Sequence, residues 1–185
     1  MKNVLVVSGH PDINNDSVAN KAILEEFARL VPQATIEDLG ALYPDAKIDV
    51  AAEQEALSKA DVIVLQFPLW WYSMPWLLKK WMEDTFLHGF SHGSTGKALQ
   101  GKKLVVSVTT GGPAEAYTGE GETHTLEEYL LPIKATSALT GMDFVGIVAT
   151  HGVSYLSRTD EAAKKDMVKR AQEHAARLAK LVESL

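Results

Sequence analysis

The sequence of 185 residues contains no cysteine. Disulfides, thiolate zinc sites and thiol catalysis are therefore excluded, and any redox chemistry has to fall to a bound cofactor. Basic charge is also scarce. Eighteen Lys and Arg against 24 Asp and Glu leave a formal net charge of −6, and no run of cations forms a patch. Nucleic-acid phosphates require such a patch, so nucleic acid is not an expected partner. Lys164, Lys165 and Lys169 alternate with acids in the manner of a solvated helix face. Long apolar runs are missing too. A spanning helix needs about 20 apolar residues, whereas the longest run, residues 62–78, is interrupted by Gln66, Pro68, Ser73 and Pro75. The first eight residues turn polar too soon for a signal peptide, and a cytoplasmic protein is expected. No repeat, low-complexity segment or linker-like shift divides the chain, which reads as one domain over residues 1–185.

What is present is a set of short Val- and Ile-rich runs: VLVVS (4–8), VIVLQF (62–67), KLVVSVTT (103–110) and FVGIVAT (144–150). They are apolar on successive residues, as strands covered on both faces of a parallel sheet are. A weaker strand, ATIEDL (34–39), joins them. Helical periodicity fills the intervals over Ser17 to Val31, Asp49 to Ser58, Pro75 to about Thr85, Thr125 to about Leu139 with a bend at Pro132, and about Thr159 to Ser184. Strict alternation of strand and helix predicts an α/β, flavodoxin-like, doubly wound five-stranded parallel sheet of order 2-1-3-4-5. In that order the loops after strands 1, 3 and 4 meet beyond the carboxyl ends of the strands, where such sheets bind ligands.

Those three loops carry distinct chemistry. SGHPDINNDSVAN (8–20) runs into a helix start with Ser17 as its N-cap, an arrangement suited to phosphate, although a plain capped helix reads the same way. The second lies within FPLWWYSMPWLLKKWMEDTF (67–86), which holds all four tryptophans. Trp81 falls on an apolar helix face, as core or interface packing. Trp70 and Trp71 fall in the loop between Pro68 and Pro75. The third, TTGGPAEAY (109–117), sets paired glycines directly after a buried strand, where backbone can approach a ligand or simply turn tightly. A phosphate site, large rings and a bare glycine edge together describe a pocket for a flat phosphorylated molecule such as a flavin nucleotide. No G-x-G-x-x-G is present to suggest a separate nicotinamide-dinucleotide domain.

Three other motifs carry little. Gly89-Phe90-Ser91-His92-Gly93 spells G-x-S-x-G, with Asp143 and His151 following in hydrolase order, but a helix rather than a strand precedes the serine. His88 and His92 are four apart with no clear third metal ligand. Gly96-Lys97-Ala98 lacks the earlier glycine and the hydroxyl residue of a P-loop.

The segments GHPDINNDSVANKAI, LYPDAKIDVAAEQEALSKADVIVLQFPLWWYSMPWLLKKWMEDTF and VTTGGPAEAY span most of positions 9–117. They resemble the flavodoxin-like NAD(P)H:quinone oxidoreductases of DT-diaphorase type. The likeness is greatest to the short bacterial ancillary proteins of glutathione-gated potassium-efflux systems. The resemblance implies a flavin phosphate near His10 and the Ser17-Val18-Ala19-Asn20 turn. It sets Leu69, Trp70, Trp71 and Tyr72 beside the isoalloxazine, and Thr109, Thr110, Gly111 and Gly112 along its polar edge through backbone and hydroxyl groups. Tyr117 and His124 are the implied catalytic residues of the substrate pocket. It further implies FMN, favoured over FAD by the short chain, with NAD(P)H as donor, a quinone or similar aromatic acceptor, ping-pong two-electron transfer and a homodimer. Regulatory docking on a potassium-efflux membrane protein is the implied alternative. The chain departs from the family where GFSHGSTG replaces a more aromatic segment.

Overall fold

A computed structural model describes residues 2–185. Five parallel strands form one sheet in the order β2-β1-β3-β4-β5: β1 Val4–Ser8, β2 Thr35–Asp38, β3 Val62–Pro68, β4 Lys103–Thr109 and β5 Asp143–Thr150. Eight α-helices surround it: α1 Ile13–Asp16, α2 Ala19–Leu30, α3 Leu39–Leu42, α4 Val50–Lys59, α5 Trp76–Thr85, α6 Leu126–Tyr129, α7 Leu131–Thr140 and α8 Glu161–Glu183. Two 3-10 turns, Ala114–Tyr117 and Tyr155–Arg158, follow β4 and β5. This is the expected doubly wound plan.

The strands are continuously apolar because both faces are covered. Leu5, Val7, Ile63, Leu65, Phe67, Leu104, Val106 and Val108 point toward the layer of α3 to α7. Val4, Val6, Val62, Val64 and Val105 point toward α2 and α8. The period of two is thus present, hidden by the burial of both sides. On the α2 and α8 side the apolar register ends early: Ser8, Gln66 and Ser107 occupy the next inward positions, all fully buried. The sheet therefore carries buried polar groups near its carboxyl end on that face alone.

The helices differ from the sequence expectation in three places. The helix expected from Ser17 begins at Ala19, because Ser17 Oγ accepts from Asn20 N at 3.1 Å and keeps the chain outside the first turn. The helix expected over residues 125–139 is two, α6 and α7, meeting at Leu130, with Pro132 in the first turn of α7 where its missing N–H costs nothing. Pro75 stands just outside α5 as its N-cap residue. Along α5, Lys79 pairs with Glu83 and Lys80 with Asp84 as the spacing indicates. Trp81 is entirely buried and its Nε1–H donates to Glu53 Oε2 at 2.6 Å, which makes it a core residue. Gly9 lets the end of β1 press against α5. A Cβ there would lie 2.5 Å from Leu78 Cβ.

Candidate functional site

The loops after β1, β3, β4 and β5 converge beyond the carboxyl ends of the strands and enclose two adjoining cavities, of about 220 and 510 Å³, that share Leu69 and Gly111. The smaller lies against the start of α2. Its floor and one wall are His10, Ser17, Val18, Ala19 and Asn20, and its other walls include Pro68, Trp70, Thr109 and Met167. A third depression, of about 500 Å³, opens at the amino ends of β1 and β2 among Asn3, Gln33, Ala52 and Lys59. It has neither an aromatic ring nor a glycine in its wall, and it lies at the end of the sheet away from the converging loops.

At the α2 end, the N–H groups of Val18 and Ala19 find no acceptor among the described residues, as the first turn of a helix leaves them. Asn20 is only 4% exposed, and its side chain is fixed from three directions. Its Oδ1 accepts from Gln66 Nε2 at 2.6 Å and Thr109 Oγ1 at 3.1 Å, and its Nδ2 donates to Ser17 Oγ at 3.1 Å. His10 is buried, and Nδ1 accepts from the Asp12 N–H at 3.1 Å. The proton of the neutral ring therefore sits on Nε2, which has no partner within the described residues while the side chain borders the cavity. Burial pushes the His10 pKa below its ordinary value, outweighing the opposing pull of Asp16, so the ring is neutral at pH 7.

The loop after β3 is a two-residue turn closed in both directions: Trp70 N to Ser73 O at 2.9 Å and Ser73 N to Trp70 O at 3.0 Å. Its central residues Trp71 and Tyr72 have φ of 48° and 63°. Turns of this hand usually take Asn or Gly there, because a side chain in the left-handed region is strained by about 1–2 kcal/mol. Two bulky aromatics held so are a stored cost, of the kind found at functional sites. The turn sends Trp70 one way, edge-on to His10 with ring centres 5.2 Å apart, into the smaller cavity. It sends Trp71 and Tyr72 the other way, along the larger one.

After β4, the hydroxyl proton of Thr109 is used on Asn20 and that of Thr110 on Gly112 O at 2.9 Å. The expected hydroxyl contacts are thus turned inward, and the N–H groups of Gly111 and Gly112 are the donors left. A Cβ on Gly111 would meet nothing within 4 Å, so the backbone there faces open space. Because Thr110 spends its proton on Gly112, its oxygen must accept from His151 Nδ1–H, 2.9 Å away. His151 stacks against Tyr117 with ring centres 5.2 Å apart, and burial holds its pKa below the ordinary histidine value.

The larger cavity is bounded by Tyr117, Tyr129, Trp71 and Tyr72, with Glu122 and Thr123 at its edge. Tyr72 stacks on Tyr129 at 4.9 Å, and Tyr117 meets Tyr129 edge-on at 6.1 Å. His124 does not line either cavity. It is exposed, 3.7 Å from Glu128 and edge-on to Tyr129 at 5.7 Å. The expected binding residues from the three loops line these cavities together with Tyr117, except Thr110, which is buried against Gly112 and His151, while His124 lies outside both, edge-on to Tyr129.

Sequence reasoning missed Gln66, His151, Tyr155 and Arg158. The first two sit inside strands or at their ends, where a polar residue interrupting an apolar run was the available signal. Tyr155 and Arg158 belong to the loop after β5, to which the switch-point rule assigns no role. The hydrolase motif dissolves: Ser91 is buried, bonded to Leu87 O and His92 Nδ1. Asp143 pairs with Lys103 at the start of β5, while His151 follows its end.

Residues 2–175 match the family model described as a flavodoxin-like fold. The chain belongs to this family. It is 44% identical over 158 residues to general stress protein 14 of Bacillus subtilis (strain 168), covering 85% of this chain and 89% of that protein. The crystal structure of general stress protein 14 from Treponema denticola, in complex with FMN, superposes with a TM-score of 0.85 at 33% identity. The match covers 97% of this chain and 99% of that one. The NADPH-quinone reductase from P. pentosaceus is similar with a TM-score of 0.69 at 27% identity, over 95% and 98% of the two chains.

Proposed function

We propose that this chain is an FMN-dependent NAD(P)H:quinone oxidoreductase acting as one flavin-binding domain in the cytoplasm. The observation that carries the reading is the meeting, at one end of the sheet, of a donor-rich helix start, an aromatic turn and a bare glycine edge. His10 supports it most directly, being a buried neutral ring that offers an unpartnered Nε2–H to the cavity. The residues present fit a flavin mononucleotide. Ser17, Val18, Ala19 and Asn20 with His10 would hold its phosphate, Leu69 and Trp70 would lie beside its rings, and the N–H groups of Gly111 and Gly112 would meet its polar edge. The FMN complex of the Treponema relative and the quinone reductase likeness support the same class.

When bound, the flavin supplies hydride chemistry between a nicotinamide donor and a quinone-type acceptor taken in turn. The chain's part is to hold and orient. Trp71, Tyr72, Tyr117 and Tyr129 form a flat-sided, open space for either substrate. Tyr117 is the hydrogen-bond donor for charge developing on an acceptor oxygen, with its ring backed by His151. His124, edge-on to Tyr129 outside the cavity, supports that ring rather than touching a substrate. Exposed Trp76, Leu131 and Leu139 on the outer side of α5 and α7 support assembly as a homodimer. A role on a potassium-efflux membrane protein rests on the sequence resemblance alone.

Initial rates at several fixed acceptor concentrations test the alternating use of one site. Parallel double-reciprocal lines are expected, and intersecting lines contradict it.

A further inference from the structure

Arg158 is the single cation bordering either cavity among the described residues. It comes from the 3-10 turn after β5, and its Nη1 donates to Asp16 Oδ1 at 2.8 Å across 142 positions of sequence. Asp16 directly precedes Ser17, so the ion pair sets the guanidinium at the entry of α2, beside the free N–H groups of Val18 and Ala19. A second contact fixes its plane: the Arg158 Cζ lies 4.4 Å from the centre of the Tyr155 ring. The guanidinium has five N–H donors in a fixed fork, and Asp16 takes one of them. Its side chain is 27% exposed, against 48% for Asp16, so the cation sits deeper than its partner. His10, Asp16 and Arg158 border the same cavity.

The remaining donors suit an anion with several oxygens at one point. A terminal phosphate monoester has three oxygens and close to two charges at neutral pH. Inside a dinucleotide, the same phosphorus carries less charge, and the chain must continue to a second phosphate. A second phosphate would have to extend past the Arg158–Asp16 bridge, which Tyr155 backs.

We propose that Arg158 is the phosphate-recognising cation of the cofactor site, and that its bridge to Asp16 restricts the site to a flavin bearing a terminal phosphate monoester, excluding the dinucleotide. This assignment rests on the flavin reading of the cavity. It adds a cation that the loop after β1 does not supply and a reason for FMN over FAD.

The test is titration of flavin-stripped, full-length protein with FMN, FAD and riboflavin, followed by quenching of flavin fluorescence. Wild type is expected to bind FMN at least tenfold more tightly than FAD. Arg158→Met is expected to lose about 10- to 100-fold in FMN affinity, the range for a charge-assisted hydrogen bond. Its riboflavin affinity stays within twofold, which also shows that the variant is folded. Arg158→Lys recovers part of the loss, and Asp16→Asn narrows the gap between FMN and FAD. Equal FMN binding by wild type and Arg158→Met overturns the cation assignment, as does a parallel loss of riboflavin. Equal affinity of wild type for FMN and FAD, or an unchanged gap in Asp16→Asn, overturns the restriction. A wild-type chain that binds none of the three brings down the flavin reading and this assignment with it.

Discussion

Gln66 Nε2 donates to Asn20 Oδ1 at 2.6 Å, in the buried polar layer where the sheet approaches the cavity. Thr109 Oγ1 donates to the same oxygen at 3.1 Å, so two strands fix one amide oxygen. With its oxygen committed to β3 and β4, Asn20 can only turn its NH₂ toward Ser17 and the start of α2.

Gln66→Leu removes one of the two donors that set this orientation and leaves Ser8 Oγ without its contact at 3.4 Å. A loss of about 1–3 kcal/mol in stability is expected, the usual cost of an unmade buried hydrogen bond. Urea midpoints measure it. FMN affinity should fall by about tenfold on the same account, because a freed Asn20 no longer presents its amide in one direction.

Trp71 offers the opposite trade. It is 95% exposed with φ of 48°, so it gives the fold little packing and costs it backbone strain. Trp71→Asn should raise stability by up to about 1 kcal/mol, since Asn tolerates the left-handed region. Turnover with a quinone should fall several-fold as the cavity loses a wall. Thermal melts and steady-state assays on one preparation check both halves.

These residues also mark what the sequence discloses. Strand order, the three converging loops and the Trp70 to Tyr72 wall could be placed because run length, alternation and Pro–Gly punctuation are local signals. The left-handed turn could not, because Trp-Tyr at its centre contradicts the Asn-Gly preference that announces such turns. The buried layer of Ser8, Gln66 and Ser107 was present in the strand periodicity, at every second residue after Val6, Val64 and Val105, but a fully covered sheet masks its two faces. Arg158 is joined to Asp16 only by the tertiary fold, over a separation that no local pattern spans. Trp81 was legible on an apolar helix face as core or interface packing, and its complete burial decides for core.

A buried histidine and a half-buried glutamate move the pH range of stability in opposite directions. His174 is enclosed between Ser107 at 2.8 Å and Thr150 at 2.9 Å, and burial first, then Arg177, pushes its pKa down to about 3. Its stabilisation is complete above the unfolded value near 6.5 and is lost as pH falls toward 3, by up to about 1.4 kcal/mol per unit. Glu37 has one buried oxygen without a partner, and burial, then its hydrogen bond to Glu53, raises its pKa to about 8. Its contribution is complete below the unfolded value of 4.5 and is lost as pH rises to 8. The two trends oppose one another between about 4.5 and 6.5, so a plateau is expected there, with decline on each side. Glu37→Gln should abolish the alkaline decline and move the maximum above pH 6.5. Melting temperatures from pH 4 to 9 decide the matter.

His151 backs Tyr117 from behind the larger cavity. His151→Leu removes the stacked ring and its bond to Thr110, and the Tyr117 ring is then free to tilt. The expected result is a several-fold rise in KM for the acceptor, with FMN affinity and the NAD(P)H half-reaction changed little. An equal loss of FMN binding would assign His151 to the glycine loop instead.

The central claim is that the end of the sheet beyond Ser8, Pro68 and Thr109 holds a flavin that donor and acceptor reach in turn. Anaerobic mixing of the FMN-reconstituted protein with NADH or NADPH, followed at 450 nm, tests it most directly. The account predicts one FMN per chain, bleaching of the yellow band by at least one of the donors, and its full return when a benzoquinone is added without oxygen. A chain that retains no FMN after reconstitution, or a bound flavin that neither donor bleaches, would contradict it.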